Sequence, residues 1–328
     1  VAEAYPWQAA LWQQLSRRER HAHAYLLHGP AGIGKRALAE RLAGLLLCRA
    51  PAANDACGQC KACLLLRAGS HPDLFELQPE EADKPIKVDQ VRELVDFVGQ
   101  TAQLGGRKLV LLEPAEAMNL NAANALLKSL EEPSGDTVLL LVSHQPSRLL
   151  PTIRSRCQQQ ACPLPGPAAA QTWLAGQLPE LDAAVHQRLL ELAAGSPLRA
   201  LQLFRDGVLE QRTLVEEGVK KLLKQQVTPS ELAESWKNVP LPLLLDWFCE
   251  WLLLVLRFQM SGDEAGLGAP QMGKVIGYLA GRTPLPAVLE LQDWLLAQRQ
   301  KVLGKANLNR ALLLEALLVR WASLPRAS

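Results

Sequence analysis

The sequence predicts an α/β domain built on a parallel sheet, followed by segments that are helical throughout. Three observations carry this. Short apolar runs alternate with helical patterns through the first half of the chain. A glycine-rich loop, Gly29 to Gly34, separates the first apolar run from the first long helical pattern. From Gly207 onward the pattern is rich in Leu and Trp at helical spacing, with no strand-like run.

The candidate strands are Ala24–Leu27, Leu74–Leu77, Leu109–Leu112, Val138–Val142 and the less apolar Gln158–Cys162. Helices are expected over Lys35–Leu47, Asp89–Thr101 and Asn121–Glu131. In the second of these, Val88, Val91, Leu94, Val95 and Val98 recur at spacings of three and four, as one buried face requires. Pro133, Ser134 and Gly135 are expected to end the third. Pro163, Pro165 and Pro167 form a stiff break, and a short helical stretch follows to Asp206 with Gly195-Ser196-Pro197 as its internal turn. The expected division is 1–165 for the α/β domain, 166–206 for a small helical unit and 207–328 for an all-α domain.

Composition narrows the function. Of 328 residues 48% are hydrophobic, enough to build cores, so a disordered chain is excluded. The 35 basic and 33 acidic residues nearly cancel, which argues against a surface coated in positive charge for non-specific DNA binding. Val1 to Arg20 holds no long apolar stretch and includes Arg17, Arg18 and Arg20, so no secretory signal is expected. The most apolar run, Leu241 to Phe258, is interrupted by Asp246, Glu250 and Arg257 and reads as a buried helix rather than a membrane span. A cytoplasmic, membrane-free protein is the expectation.

Gly29-Pro30-Ala31-Gly32-Ile33-Gly34-Lys35 lies after a strand and opens a helix, as a phosphate-binding loop does. Gly29, Gly32 and Gly34 let backbone N–H groups face a phosphate, and Lys35 would reach its outer oxygens. The full motif continues with Ser or Thr to hold Mg²⁺, but here Arg36 follows, and a guanidinium cannot ligate a cation. At the end of the third strand, Glu113 could replace an acidic metal partner, but Pro114 has no group to polarise water. Glu116 is expected to be solvated. Two parts of a phosphoryl-transfer site are missing together, so ATP binding is expected to be weak or absent.

Cys48-x8-Cys57-x2-Cys60-x2-Cys63 places four thiols in one short stretch, enough to close a tetrahedral structural zinc site with no open position. Four free buried thiols or an iron–sulfur cluster are the competing readings, and His71 is a weaker substitute ligand. The module is expected over about 48–71. Cys157, Cys162 and Cys249 read as isolated thiols.

Three segments carry a family resemblance: His23-Ala24-Tyr25-Leu26-Leu27-His28-Gly29 leading into the loop; Asn121 to Pro133, which reads NAANALLKSLEEP; and Leu149 to Cys157, which reads LLPTIRSRC. With the cysteine cluster between the first helix and second strand, they resemble the bacterial clamp-loader subunits of the AAA+ class, densely over about residues 5–162. The resemblance implies an AAA+ P-loop domain with a zinc-binding insertion, a helical lid and a C-terminal collar. In that family the tau and gamma motor subunits carry Asp and Glu where this chain has Glu113 and Pro114, so a ring member that does not hydrolyse ATP is implied. Its implied partners are the tau/gamma and delta subunits, the sliding clamp and primed DNA.

The resemblance also gives Arg156, in Ser155-Arg156-Cys157, the role of an arginine finger acting in trans on a neighbour's ATP, with Arg154 as a second contact or a local ion-pair partner. Ser143 matches the first sensor position. Arg199 lies one position late for the second, and no nucleotide contact is assigned to it. The alternatives are a tau/gamma-type motor ATPase with an atypical loop and a zinc-dependent nucleic-acid binder. For the second, only Arg49, Lys61 and Arg67 flank the cysteines.

Overall fold

A computed structural model describes residues 5–81, 84–132, 135–262, 271–304 and 308–326. The chain forms two units, residues 1–206 and 207–328. In the first, strands β1 (Ala24–His28), β2 (Leu74–Leu77), β3 (Lys108–Leu112), β4 (Thr137–Ser143) and β5 (Gln158–Ala161) form one sheet in the order β2-β3-β4-β1-β5. Every pairing is parallel, with Ala24 opposite Leu139, Tyr25 opposite Gln158 and Leu109 opposite Val138.

The helices of this unit are α1 (Ala9–Ser16), α2 (Lys35–Leu47), α3 (Lys61–Arg67), α4 (Val88–Gly99), α5 (Leu120–Glu131) and α6 (Pro151–Arg156), then α7 (Pro167–Gln177), α8 (Ala183–Leu192) and α9 (Pro197–Arg205). The expected strands and long helices are present within one to two residues at each end. Pro133 and Ser134, expected to end α5, lie outside the described residues.

The central strands are apolar on both faces because each face covers a different core. Leu26, Val110, Leu112, Leu139 and Leu141 pack with Val91, Leu94 and Val98 of α4 and Leu126 and Leu130 of α5. Their neighbours Tyr25, Leu27, Leu109, Leu111, Leu140 and Val142 pack with Leu38 and Leu42 of α2 and Leu11, Trp12 and Leu15 of α1. The edge strand β5 is largely exposed, which is why Gln158, Gln159 and Gln160 are tolerated there. The short α1, α3 and α6 have no periodic signal long enough to read from sequence.

Residues 207–328 form α10 (Val208–Leu223), α11 (Pro229–Ser235), α12 (Leu241–Ser261), α13 (Gly273–Arg282), α14 (Leu285–Leu303) and α15 (Arg310–Ser323). Trp236, Trp247, Trp251 and Trp321 are at most 2% exposed, and Phe248 meets Trp321 edge-on at 4.8 Å between ring centres. Glu250, which interrupts the apolar run of α12, grips buried Arg212 with both oxygens at 2.9 Å, and Glu216 binds the same guanidinium at 3.0 Å. Such a buried cation needs this pairing. Along α14, Leu285, Leu289, Leu296 and Leu303 stay 43–53% exposed, an apolar stripe that the tryptophans do not cover. Among the described residues no helix is long and apolar enough to cross a membrane.

Candidate functional site

The phosphate-loop sequence folds as its glycines require. Gly32 and Gly34 have φ of 76° and 83°, a region that other residues adopt only at a cost, and Gly34 caps the N-terminus of α2. The loop's surroundings are closed. A Cβ on Gly32 would sit 2.7 Å from Cβ of Arg199, and Leu198 N donates to Gly32 O at 3.1 Å, so the start of α9 rests on the loop. On another side, a Cβ on Gly34 would strike Tyr5, while Trp7 Nε1 and Gln8 Nε2 both donate to Ile33 O at 2.9 Å. Tyr5 stacks on Trp7 at 5.1 Å, and Trp173 of α7 closes on both rings.

Lys35 is turned into this closed site. It is 2% exposed, and its ammonium donates to the loop's own carbonyls, Gly29 O at 2.8 Å and Pro30 O. Burial pulls its pKa down to about 8, with Cys162, Glu113 and Glu116 partly opposing. Arg36 stands among three carboxylates. Its guanidinium meets Glu40 and Glu76 at 2.6 Å each and Glu113 at 3.4 Å. The protein thus supplies a fixed organic cation to the acidic residue at the end of β3. Burial raises the Glu113 pKa, while Arg36 and Lys35 pull it back.

Glu116 differs from the expectation of a solvated side chain. Its Oε1 accepts from the backbone N–H groups of His144 at 2.8 Å and Gln145 at 3.1 Å, so it caps the end of β4. Ser143, the last residue of β4, is fully buried at that strand end. Ser143 Oγ, His144 Nδ1 and Glu116 Oε2 are buried without a hydrogen-bond partner among the described residues. His144 Nε2 lies 3.8 Å from Glu113, but burial and Lys35 push its pKa below the ordinary value, which favours the neutral ring.

Arg156 ends α6. Its Nη2 meets Glu131, the last residue of α5, at 2.6 Å, and its Nη1 donates to Thr152 O at 3.0 Å. Its side chain remains 34% exposed. Arg154 makes no ion pair among the described residues. Glu40, four residues after Arg36 on one helix, could have been read from spacing, but nothing in the spacing of the sequence pointed to Glu131 or Glu76. An acid at the last position of a helix, where the helix dipole disfavours it, was the one available signal for Glu131.

The four cysteines converge. The sulfurs of Cys48, Cys57, Cys60 and Cys63 all lie within 4.8 Å of one another, with Cys48–Cys60 and Cys57–Cys63 at 3.9 Å. A tetrahedral ion with bonds of about 2.3 Å sets its ligand atoms about 3.8 Å apart, so the donor set fits one metal ion. Cys48 caps the C-terminus of α2 and Cys60 the N-terminus of α3. Backbone N–H groups of Cys57 and Cys60 point at Cys48 Sγ and Cys57 Sγ at 3.3 and 3.4 Å, which favours thiolates. His71 is not part of the group. Its Nδ1 accepts from Asp73 N at 3.1 Å. Cys157, Cys162 and Cys249 are free thiols that do not belong to the cluster.

Comparison with known proteins separates these features into a lineage. The family described as DNA polymerase III, delta subunit, matches residues 6–163, and that described as DNA polymerase III, delta subunit, C terminal, matches 207–323. DNA polymerase III subunit delta' of Pseudomonas aeruginosa is 70% identical over 325 residues, covering 99% of both chains. The Escherichia coli subunit delta' is 32% identical over 320 residues, covering 96% of this chain and 94% of its own. The Haemophilus influenzae tau/gamma subunit matches only 42% of this chain, at 36% identity, and 20% of its own.

Proposed function

The chain belongs to the DNA polymerase III subunit delta' family, the clamp-loader branch of the α/β AAA+ P-loop fold, and from that premise we propose that it completes the loader ring without hydrolysing ATP. The observation that carries the proposal is Arg36, a fixed guanidinium held by Glu40, Glu76 and Glu113 in the place of a metal ion. With Lys35 bound to its own loop and Pro114 unable to direct a water, no hydrolytic site is assembled. In this reading, 1–165 is the AAA+ domain, 166–206 its lid and 207–328 the collar, whose exposed leucine stripe on α14 meets other ring members. The partners are the tau/gamma and delta subunits, with the sliding clamp and primed DNA met through the cytoplasmic assembly. The cysteine module holds one structural Zn²⁺.

Arg156 is the group this chain contributes to catalysis elsewhere. Charge builds on the γ-phosphate oxygens of a neighbour's ATP as they separate, and a planar guanidinium can bind two of them. Fingers of this kind are worth roughly 10³ to 10⁵ in rate in GTPases, and a shared ring dilutes the effect. Loaders reconstituted with Arg156→Ala should assemble but lose clamp- and DNA-stimulated ATP turnover, and Arg156→Lys should restore little. Full turnover in assembled Arg156→Ala loaders would make Arg156 an ordinary surface residue. Turnover near 1 s⁻¹, about the low end of typical enzyme rates, by the isolated chain and abolished by Lys35→Ala would instead establish a motor ATPase.

A further inference from the structure

We propose that Glu131 is the positioning residue of Arg156. The inference rests on the arginine-finger reading and adds a second residue to it. Glu131 closes α5 and Arg156 closes α6, two helices whose ends meet at one corner of the domain. The α5 terminus is an unfavourable place for an acid, because the last carbonyls of a helix already present negative charge. There the carboxylate meets the guanidinium at 2.6 Å, so the pair offsets a charge the helix end disfavours.

The chemistry of the fork shows what this contact leaves available. A guanidinium has two N–H groups on each terminal nitrogen and one on Nε. One on Nη2 is committed to Glu131, and one on Nη1 to Thr152 O. The second N–H of each terminal nitrogen and the Nε–H remain for an incoming pair of phosphate oxygens. Both anchors come from this chain, so the guanidinium is fixed before any neighbour arrives. An arginine that must order itself only on engagement loses rotamer freedom at that moment. Glu131 moves that loss to the folding of this domain, which is preorganisation of a group acting in another subunit's site.

A structural role alone predicts something different. An exposed ion pair contributes little to stability, so Glu131→Ala would then lower the midpoint of unfolding slightly and leave the neighbour's chemistry untouched. Positioning predicts a fall in kcat of about 2- to 10-fold, the size expected for ordering one long side chain, with KM for ATP changed less than about 2-fold. Glu131→Gln keeps the length and one acceptor oxygen and should recover most of the rate.

The experiment reconstitutes complete loaders with wild-type chain, Glu131→Ala, Glu131→Gln, Arg156→Ala and the Glu131→Ala/Arg156→Ala double variant. Clamp- and DNA-stimulated ATP hydrolysis is measured in each, with assembly checked by size-exclusion chromatography. The expected result is that Glu131→Ala slows turnover in the wild-type background and adds nothing once Arg156 is gone, because it acts only through that side chain. An equal loss in both backgrounds, or a shifted unfolding midpoint with kcat intact, overturns the positioning role while leaving the finger standing. Unchanged turnover with Arg156→Ala alone overturns both. Faster turnover with Glu131→Ala also overturns the proposal, since it would make the carboxylate a restraint.

Discussion

Helix α2 carries a glycine-rich loop at one end and a cysteine cluster at the other, and the two differ in how completely they could hold a ligand. At its N-terminus, Gly34 caps the helix below a phosphate loop whose metal partner is absent and whose cation is Arg36. At its C-terminus, Cys48 joins three other sulfurs in a complete donor set. The comparison teaches how a side-chain cation can satisfy acids at one helix end while a sulfur cluster at the other end needs an ion to do so. The loop glycines supply the positive φ of the turn, Lys35 donates to the loop carbonyls, and Glu113 just after β3 pairs with Arg36, so each has a structural partner without a nucleotide. One arginine balances the acids that a divalent ion would otherwise meet. The cysteine end has no such substitute, since no side chain can replace an ion that bonds four thiolates at once.

The largest effect should come from breaking the complete end. Protein purified without added metal should contain about one zinc per chain by elemental analysis, and Cys60→Ala should lose it. Structural zinc contributes on the order of 10 kcal/mol to the folding of a small module, so about residues 48–71 should unfold first while the sheet, with its own two cores, persists. Hydrogen exchange confined to that stretch checks this. Unchanged zinc content in Cys60→Ala would end the assignment.

A smaller effect is expected from removing the cation at the other end. Arg36→Ala leaves Glu113, Glu40 and Glu76 without their shared partner, and chiefly through the half-buried Glu113 should cost about 1 to 2 kcal/mol at neutral pH. The sign with pH follows from Glu113, whose pKa burial already raises. Without Arg36 that carboxyl protonates still more readily in the folded state, so the deficit should shrink as pH falls and grow as it rises. Urea titrations at about pH 5.5 and about pH 8 would show equal deficits if Arg36 were a passive surface residue.

The smallest effect concerns Lys35. Its folded pKa of about 8 lies below the unfolded value, so between those two the unfolded chain binds more protons, and stability rises with pH across that window. Lys35→Met should abolish this rise. Its net gain at neutral pH should be on the order of 1 kcal/mol, because Gly29 O and Pro30 O lose their donor and offset the relief of a buried charge. A rise that persists in Lys35→Met would assign it to another group.

Much of this was readable in one dimension because the signals were local. The strands of the sheet announced themselves as unbroken apolar runs, since both faces are buried. The four thiols announced themselves by spacing, and the defective loop by Arg36 directly after Lys35. Other features had no local signal. Glu116 read as a solvated acid, yet it caps β4 through His144 and Gln145, which lie beyond an entire intervening helix.

What the amino-acid order determined by itself was the succession of elements, the cysteine donor set and the missing magnesium and water-handling groups. Each depends on residues within one turn, one strand or one short loop. Only the tertiary structure decided that Arg36 reaches Glu76 and Glu113, that Tyr5, Trp7 and Gln8 close on the phosphate loop, and that Glu131 holds Arg156. Arg36, Glu76 and Glu113 meet at the C-terminal ends of the parallel strands, whereas Glu131 and Arg156 meet at the opposite edge, where β4 and β5 begin, and both meetings need the crossovers that bring parallel strands side by side.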